Sequence, residues 1–402
     1  MVWWQGRDVV SAETCSIESL PTAARITASD ALGLYLHIPF CSAICNYCNF
    51  NRILFNESLK ESYLTAIELE VRKMADGSSV DSVHFGGGTP SLLLPEEVGR
   101  LVAACRDSFN LASDTEITLE ANPESLTIER LAGYRQAGIT RLSIGVQSFL
   151  NEELARLDRA HTASDAERMF RTARREGFDN LSLDLMMWLP GQTLIEWQTS
   201  VDAALALAPD HVSLYLLELY SSAPLQAQMT RQAWSRVPDD DAADMYLDAM
   251  ERFEGAGYHQ YEISNVACPG KRSQHNLKYW TDGSWIGFGC GAHSTRGNLR
   301  WHNVSSVDEY VVKAKNGVDF RADQRMRSVE ECLSDALIMG LRLVDGVDLD
   351  LVETRYEIDV RGQYGSALRP FLDVGVLVEE NRRLRLTRQG MLVANEIMSV
   401  FV

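Results

Sequence analysis

Residues 34–48 read Leu34-Tyr-Leu-His-Ile-Pro-Phe-Cys41-Ser-Ala-Ile-Cys45-Asn-Tyr-Cys48, a short apolar run followed by three closely spaced cysteines. The run has the length and composition of a buried strand, so the cysteines are predicted to lie in the loop that follows it. Three thiolates from one loop can hold three irons of a [4Fe-4S] cubane and leave the fourth iron open. An open iron can chelate the amino and carboxylate groups of a small molecule. We therefore expect Cys41, Cys45 and Cys48 to bind a [4Fe-4S] cluster.

Two other uses of the three cysteines stay open on the residues alone. A structural zinc ion needs a fourth ligand, and the nearest candidate, His37, lies on the preceding strand. A redox dithiol leaves the third cysteine without a purpose. The other cysteines are scattered along the chain, and each is expected to be a small buried hydrophobe.

Around the cysteine loop, apolar β-rich runs alternate with helix-period segments from about residue 33 to residue 265. This alternation predicts parallel strands joined by crossover helices, in about six β/α units that make a partial (β/α)6 barrel. Loops at the carboxyl ends of such strands share one mouth, so polar residues at those ends are expected to meet there. The predicted strands are residues 34–38, 82–85, 116–120, 141–145, 181–186 and 212–216, and the predicted helices are residues 57–75, 96–108, 127–136, 165–176 and 194–207.

Composition and charge exclude several classes of function. Apolar residues make up 46% of the 402-residue chain, enough for one large domain plus a smaller one. The formal net charge of −18 repels phosphate backbones and anionic lipids, so no nucleic acid partner is expected. We expect no transmembrane helix, no stable membrane insertion and no signal peptide, and therefore a cytoplasmic protein. The role of the leader at residues 1–30 stays open.

Candidate ligand-binding groups follow the predicted strands. Gly86-Gly87-Gly88-Thr89-Pro90 forms a turn in which backbone groups can approach a ligand, although a tight turn after a strand explains such glycines equally well. Glu120, Gln147, Arg159 and Asp184 are each unremarkable singly. Together they offer groups for a ribose diol, a carboxylate and an adenine edge.

The cysteine spacing, with Tyr47 just before the last cysteine, resembles the signature of the radical SAM superfamily. The resemblance implies that the open iron binds the methionyl part of S-adenosylmethionine and that an electron donor serves the cluster. From about residue 33 to residue 220 the chain also looks like the oxygen-independent coproporphyrinogen III oxidases and their relatives, notably at His84-Phe-Gly-Gly-Gly-Thr-Pro90 and Ser143-Ile-Gly-Val-Gln-Ser148. This implies S-adenosylmethionine contacts at Tyr35, Tyr47, Gly87, Gly88, Thr89, Glu120, Gln147, Arg159 and Asp184.

The remainder of the chain predicts two further regions. After a barrel at residues 31–265, residues 266–324 are rich in Gly, His, Trp and Asn with little periodicity, which predicts a loop-rich connector. Residues 325–402 predict helices and a hairpin with strands at 376–379 and 384–387, and they resemble a mostly helical winged-helix-like domain. Such domains often bind DNA, but the acidic chain and the lack of a basic recognition helix favour a protein-contact or lid role.

The connector contains His275-Asn-Leu-Lys-Tyr-Trp280, which is similar to the His-Asn-x-x-Tyr-Trp motif of the HemW-type heme chaperones. A neutral imidazole can bind heme iron, and neighbouring aromatic rings offer flat apolar surfaces for a porphyrin. The alternative is a packed, hydrogen-bonded loop corner. His275 is thus the expected heme contact, and the further candidates that stay open are Cys268, Cys290, His293 and His302.

Two functions from different classes follow from these resemblances. One is a heme carrier that passes heme to an acceptor protein and uses the cluster and S-adenosylmethionine to regulate or permit transfer. The other is an enzyme that oxidatively decarboxylates the propionates of coproporphyrinogen III. The oxidases carry a fourth cysteine two residues beyond the third, where this chain has Phe50, and this departure together with His275 favours the carrier. A radical SAM enzyme acting on tRNA fits poorly with the acidic charge.

Overall fold

The computed structural model describes residues 31–221 and 223–402 of the chain, so the predicted leader at residues 1–30 lies outside the described residues. The strands are β1 Leu32–Ile38, β2 Phe40–Cys41, β3 Ile53–Leu54, β4 Ser79–Gly87, β5 Asn110–Ala121, β6 Arg141–Gln147, β7 Leu181–Met187, β8 His211–Leu216, β9 His259–Glu262, β10 Asn265–Ala267, β11 Trp285–Phe288, β12 His293–Arg296, β13 Leu299–Asn303, β14 Arg321–Met326, β15 Val347–Asp348, β16 Leu377–Glu380 and β17 Arg383–Leu386. The helices are α1 Glu57–Lys73, α2 Pro95–Ser108, α3 Ile128–Gln136, α4 Asn151–Arg156, α5 Ala163–Arg175, α6 Leu194–Leu207, α7 Pro224–Gln232, α8 Asp239–Gly255, α9 Gln274–Trp280, α10 Val307–Lys315, α11 Val329–Gly340, α12 Leu349–Tyr356, α13 Val360–Asp373, α14 Arg388–Leu392 and α15 Ala394–Met398.

Within the described residues, twelve strands form one mixed sheet in the order β14-β13-β12-β11-β1-β4-β5-β6-β7-β8-β10-β9. The neighbours from β11 to β8 in this order are all parallel. Strands β1, β6 and β7 are buried almost throughout, as expected where helices cover one face of a parallel sheet and the other face encloses an interior. The predicted α/β fold is confirmed, and each of the six predicted strands is present, as β1, β4, β5, β6, β7 and β8.

Residues 266–324 differ from the loop-rich connector that their composition predicts. Strand β11 returns to the barrel and pairs in parallel with β1, and β12, β13 and β14 extend the sheet antiparallel beyond it. The strands are only four to six residues long, and every residue of β14 is exposed. Because strands this short carry little apolar alternation, the sequence pattern does not reveal them.

The C-terminal region contains α11 to α15 and a three-stranded sheet in the order β15-β17-β16. The predicted hairpin is present as β16 and β17, with Asn381 and Arg382 at positive φ angles of 52° and 62° in its two-residue turn. Both turn residues occupy the left-handed conformation that tight hairpins require. Apolar side chains of this region, including Leu377 and Leu386, belong to the same core cluster as the barrel.

Membrane insertion finds no support in the helices. In the part of the chain that the structure describes, none combines the length and the apolar character needed to cross a bilayer.

Candidate functional site

The cysteine loop is closed at its base by two short strands. Cys41 ends β2, which pairs with β3 in parallel. The amide of Ile53 donates to the carbonyl of Pro39 at 2.7 Å, and the amide of Phe55 donates to that of Cys41 at 2.9 Å. Cys45 and Cys48 therefore lie on a loop whose two ends are fixed to each other beside the mouth of the barrel.

Two side chains from other elements donate hydrogen bonds to the cysteine sulfurs. The hydroxyl of Thr89 lies 3.6 Å from Cys41 Sγ, and the guanidinium of Arg159 lies 3.7 Å from Cys45 Sγ. Burial raises the pKa of the Cys41 thiol, an effect that Thr89 partly offsets, and burial likewise raises the pKa of Cys48. A bound metal centre would favour the thiolate forms of Cys41 and Cys48 against this effect of burial. Among the described residues, no three His, Cys, Asp or Glu side chains are arranged to hold a single metal ion.

The glycine turn at the end of β4 is hydrogen-bonded to the base of the cysteine loop. The amide of Gly88 donates to the carbonyl of Ile38 at 2.8 Å, and the amide of Thr89 donates to that of Phe40 at 2.8 Å. Gly87 has a φ of +114°, and a Cβ there would lie 2.6 Å from the ring of His37. A Cβ on Gly88 would lie 2.8 Å from Phe40 O. These glycines are therefore required by contacts within the protein, whether or not a ligand approaches them.

Glu120 and Tyr35 meet at the same turn. One carboxylate oxygen of Glu120 lies 2.9 Å from His84 Nε2, and the other accepts from the amide of Gly87 at 3.3 Å. A Cβ on Gly86 would lie 2.8 Å from the ring of Tyr35 and 3.0 Å from Glu120. Burial raises the pKa of Tyr35 well above its usual value, so its hydroxyl stays protonated. The predicted contacts Tyr35, Gly87 and Glu120 thus form one group.

Arg159 and Gln147 form a second group beside Cys45. Arg159 donates to the carbonyl of Gly145 at 2.7 Å and to Asn122 Oδ1 at 2.9 Å. Gln147 has a φ of +69°, and its Oε1 is buried without a hydrogen-bond partner among the described residues, as is the Nε of Arg159. Buried polar atoms of this kind are normally satisfied, so both fit a site whose bonding a polar ligand completes.

Asp184 and Tyr47 complete the predicted set. Asp184 accepts a hydrogen bond from Ser143 at 3.1 Å, and burial, with a further contribution from the charge of Glu120, raises its pKa to about 6. Burial raises the pKa of Tyr47, while the positive charge of Arg159 lowers it. The residues that sequence reasoning overlooked are His84 and Asn122, which bind Glu120 and Arg159. His84 and Gly86 are two residues apart on β4, so they lie on the same face of the strand. This alternation was the sequence signal that could have placed His84 at the site.

His275 lies away from the cysteine loop, towards the amino ends of β1 and β4. Its Nδ1 is 3.0 Å from the hydroxyl of Ser82, its Nε2 is 2.9 Å from that of Tyr279, and its side chain is 1% exposed. Burial lowers the pKa of His275 well below its usual value, so the ring is neutral. In this arrangement neither ring nitrogen is free for an iron. Its contact with heme stays a prediction that needs a different arrangement of α9.

The other candidates for heme ligation fall into two kinds. Cys290 is fully buried and close to the hydroxyl of Tyr63, and Cys268 is half-buried beside Pro209. His293 and His302 instead face each other across β12 and β13, with ring centroids 5.1 Å apart. His293 is exposed and His302 is half-buried.

Three cysteines in the loop after the first barrel strand, with polar side chains gathered at the neighbouring strand ends, define a radical SAM protein. The radical SAM superfamily model matches residues 35–204, and the HemN C-terminal domain model matches residues 328–393.

Relatives extend the similarity to most of the chain. The heme chaperone HemW of Bacillus subtilis is 36% identical over 373 residues, covering 92% of this chain and 98% of the relative. The Mus musculus protein named radical S-adenosyl methionine domain-containing protein 1, mitochondrial, is 35% identical, covering 92% and 87%. The chain belongs to the HemW family of radical SAM proteins.

A solved structure confirms the fold. Coproporphyrinogen III oxidase (HemN) from Escherichia coli aligns with a TM-score of 0.82 at 24% identity, covering 92% of this chain and 90% of that chain.

Proposed function

We propose that this protein is a heme chaperone, which binds heme and passes it to an acceptor protein while carrying a [4Fe-4S] cluster with exchangeable S-adenosylmethionine. The observation that carries the proposal is the similarity over 92% of the chain to relatives named heme chaperones. Phe50 supports the same choice, because the oxidases have a cysteine at this position and the Phe50 side chain is 65% exposed here. An exposed phenylalanine supplies no ligand to iron.

Cys41, Cys45 and Cys48 hold the cluster in this proposal. The hydrogen bonds from Thr89 and Arg159 to two of the sulfurs stabilise thiolates, and donors of this kind tune the electronics of such centres. When bound, the cluster supplies a single electron to S-adenosylmethionine, and the protein contributes binding, orientation and exclusion of competitors.

S-adenosylmethionine is assigned to the space beside the cysteine loop, where the other predicted contacts lie. Glu120 presents a carboxylate, and Asp184 is held by Ser143. Gln147 Oε1 and Arg159 Nε are buried without a hydrogen-bond partner in the described part of the chain. Carboxylates suit an ammonium or a ribose diol, and a guanidinium suits a carboxylate. The other predicted contacts line the same site in this proposal, namely Gly87, Gly88, Thr89, Tyr35 and Tyr47.

The proposed partners follow from the proposed cargo. A heme carrier needs an acceptor protein, and a redox cluster needs an electron donor. A net charge of −18 opposes binding to nucleic acid, so these partners are proteins. We place the protein in the cytoplasm in this proposal, which cell fractionation tests.

The experiment supplies the anaerobically reconstituted protein first with heme and then with S-adenosylmethionine, reductant and coproporphyrinogen III. We expect saturable heme binding, loss of heme to an added apo-heme protein, and no protoporphyrinogen IX. Repeated turnover to protoporphyrinogen IX without heme binding would contradict the chaperone function.

A further inference from the structure

The eight histidines of the chain all lie within the described residues, so each can be assessed as an iron ligand. Five are buried, with rings hydrogen-bonded inside the protein, namely His37, His84, His161, His211 and His275. Three remain accessible at the surface, His259, His293 and His302. His259 stands alone on β9 at one edge of the sheet, whereas the other two form a pair near the opposite edge.

His302 is prepared for a metal by its own hydrogen bond. Its Nδ1 lies 3.1 Å from the carbonyl oxygen of Asn303. A carbonyl only accepts, so Nδ1 donates this hydrogen bond and Nε2 is the ring nitrogen left to face a metal. Ligating histidines are commonly oriented in this way by a hydrogen bond from the second ring nitrogen. His293 lies directly opposite on β12 and places a second imidazole ring beside that of His302.

The pair lies on the face of the sheet that continues from the barrel interior. Tyr35 pairs with Gly287, and Trp285 pairs with Thr295. Because side chains alternate along a strand, Tyr35, Gly287, His293 and His302 share one face. Gly287 carries no side chain between Tyr35 and His293, and a Cβ there would lie 2.5 Å from His293 O. The backbone of residues 292 and 293 therefore lies against the sheet at Gly287, where only a residue without a side chain fits.

A chain of contacts joins the buried motif histidine to this face. His275 Nε2 lies 2.9 Å from the hydroxyl of Tyr279, and the ring of Tyr279 meets that of Trp285 edge-on with centroids 4.8 Å apart. Trp285 Nε1 donates to the carbonyl of His293 at 3.1 Å. The rings of Tyr279 and Trp285 are both half-buried, so each offers apolar surface to a flat ligand.

We infer that heme binds on this face of β11 to β13, with His302 Nε2 as the ligand to iron and Tyr279 and Trp285 against the porphyrin. The inference rests on the proposed function and locates its cargo site. His275 is a positioning residue here, since it acts through Tyr279. His293 stands on the same side as His302, so it would line the site beside the iron ligand. A site on an exposed part of the sheet also leaves the heme within reach of an acceptor.

The test titrates heme into the full-length, cluster-loaded protein and follows the Soret absorption. We expect His302→Ala to weaken binding about tenfold or more and to remove the spectrum of histidine-ligated heme. Added imidazole should restore that spectrum in His302→Ala, because it fills the vacated position. His275→Ala should weaken binding while keeping the histidine-ligated spectrum. His259→Ala is the matched control and should bind as the wild type does.

Two outcomes separate this inference from the function on which it rests. Wild-type protein that binds heme, together with His302→Ala that binds it with equal affinity and an unchanged spectrum, overturns the site and leaves the chaperone function standing. Wild-type protein that binds no heme overturns both. Circular dichroism and cluster absorption of each variant establish that a lost spectrum does not reflect unfolding.

Discussion

The guanidinium of Arg159 lies 3.7 Å from the sulfur of Cys45 and 2.7 Å from the carbonyl of Gly145. One side chain, set after α4, thus joins the cysteine loop to the end of β6. These two hydrogen bonds hold the cysteine loop at a fixed distance from the barrel.

Replacing Arg159 by Met should shorten the lifetime of the reconstituted cluster. The variant keeps most of the side-chain volume and loses the donors to Cys45 and Gly145, and a charge-assisted hydrogen bond contributes about 1.5–3 kcal/mol. We expect faster loss of cluster absorption under oxygen and weaker S-adenosylmethionine binding. Arg168→Met is the control, because Arg168 is exposed and pairs with Asp165. Equal lifetimes in the two variants would contradict a role for Arg159 at the cluster.

Replacing Cys41, Cys45 or Cys48 by Ala should abolish cluster absorption and reduce bound iron. A cubane with two protein thiolates has two unsupported irons. Iron analysis after anaerobic reconstitution measures this, with Cys268→Ala as the variant that keeps its iron. Stoichiometric zinc without iron in the native protein would sink the cluster assignment.

Replacing Gly87 by Ala should lower both the melting temperature and the cluster content. The new Cβ would lie 2.6 Å from the His37 ring at a φ of +114°. The variant Gly77→Ala separates backbone strain from steric overlap. Gly77 also has a positive φ, +69°, but a Cβ there would have no atom within 4 Å. Gly77→Ala should cost about 1 kcal/mol and leave the cluster unaffected. Similar losses in the two variants would show that the close packing of Gly87 is unimportant.

The unfolding free energy should fall as the pH rises from about 4.5 to about 7 because of Glu70. This carboxylate accepts from Gly289 N at 2.9 Å and Asn303 Nδ2 at 2.7 Å, and burial raises its pKa to about 7. Because the pKa of Glu70 is higher in the folded than in the unfolded state, its protonated carboxyl stabilises the protein below the unfolded-state pKa. This stabilisation, about 3 kcal/mol at most, is lost as the pH rises through the folded-state pKa of about 7. Thermal unfolding across this range should show a weaker pH dependence for Glu70→Gln than for wild type. Glu251→Gln, on the exposed face of α8, should keep the wild-type slope.

The local sequence pattern was sufficient to predict the barrel strands and to predict which residues lie at their carboxyl ends. The six strands were predictable because each is a short β-rich run of apolar or alternating residues between helix-period segments. Glu120 and Gln147 lie at the mouth of the barrel because parallel strands end at one edge, whereas Arg159 follows α4 and its contact with Cys45 was decided by tertiary packing. The strands of residues 266–324 were missed, since short antiparallel strands with polar faces carry little periodic signal. The identity of the S-adenosylmethionine contacts remains a prediction from motif.

By itself, the sequence determined the spacing of Cys41, Cys45 and Cys48, the order of the β/α units and the acidic charge, all properties of neighbouring residues or of composition. The tertiary structure alone decided that β11 pairs with β1 across some 250 residues, that His275 is buried between Ser82 and Tyr279, and that His302 is accessible beside His293. Burial and pairing register depend on which distant segments pack together. Periodicity within one segment carries no information about them.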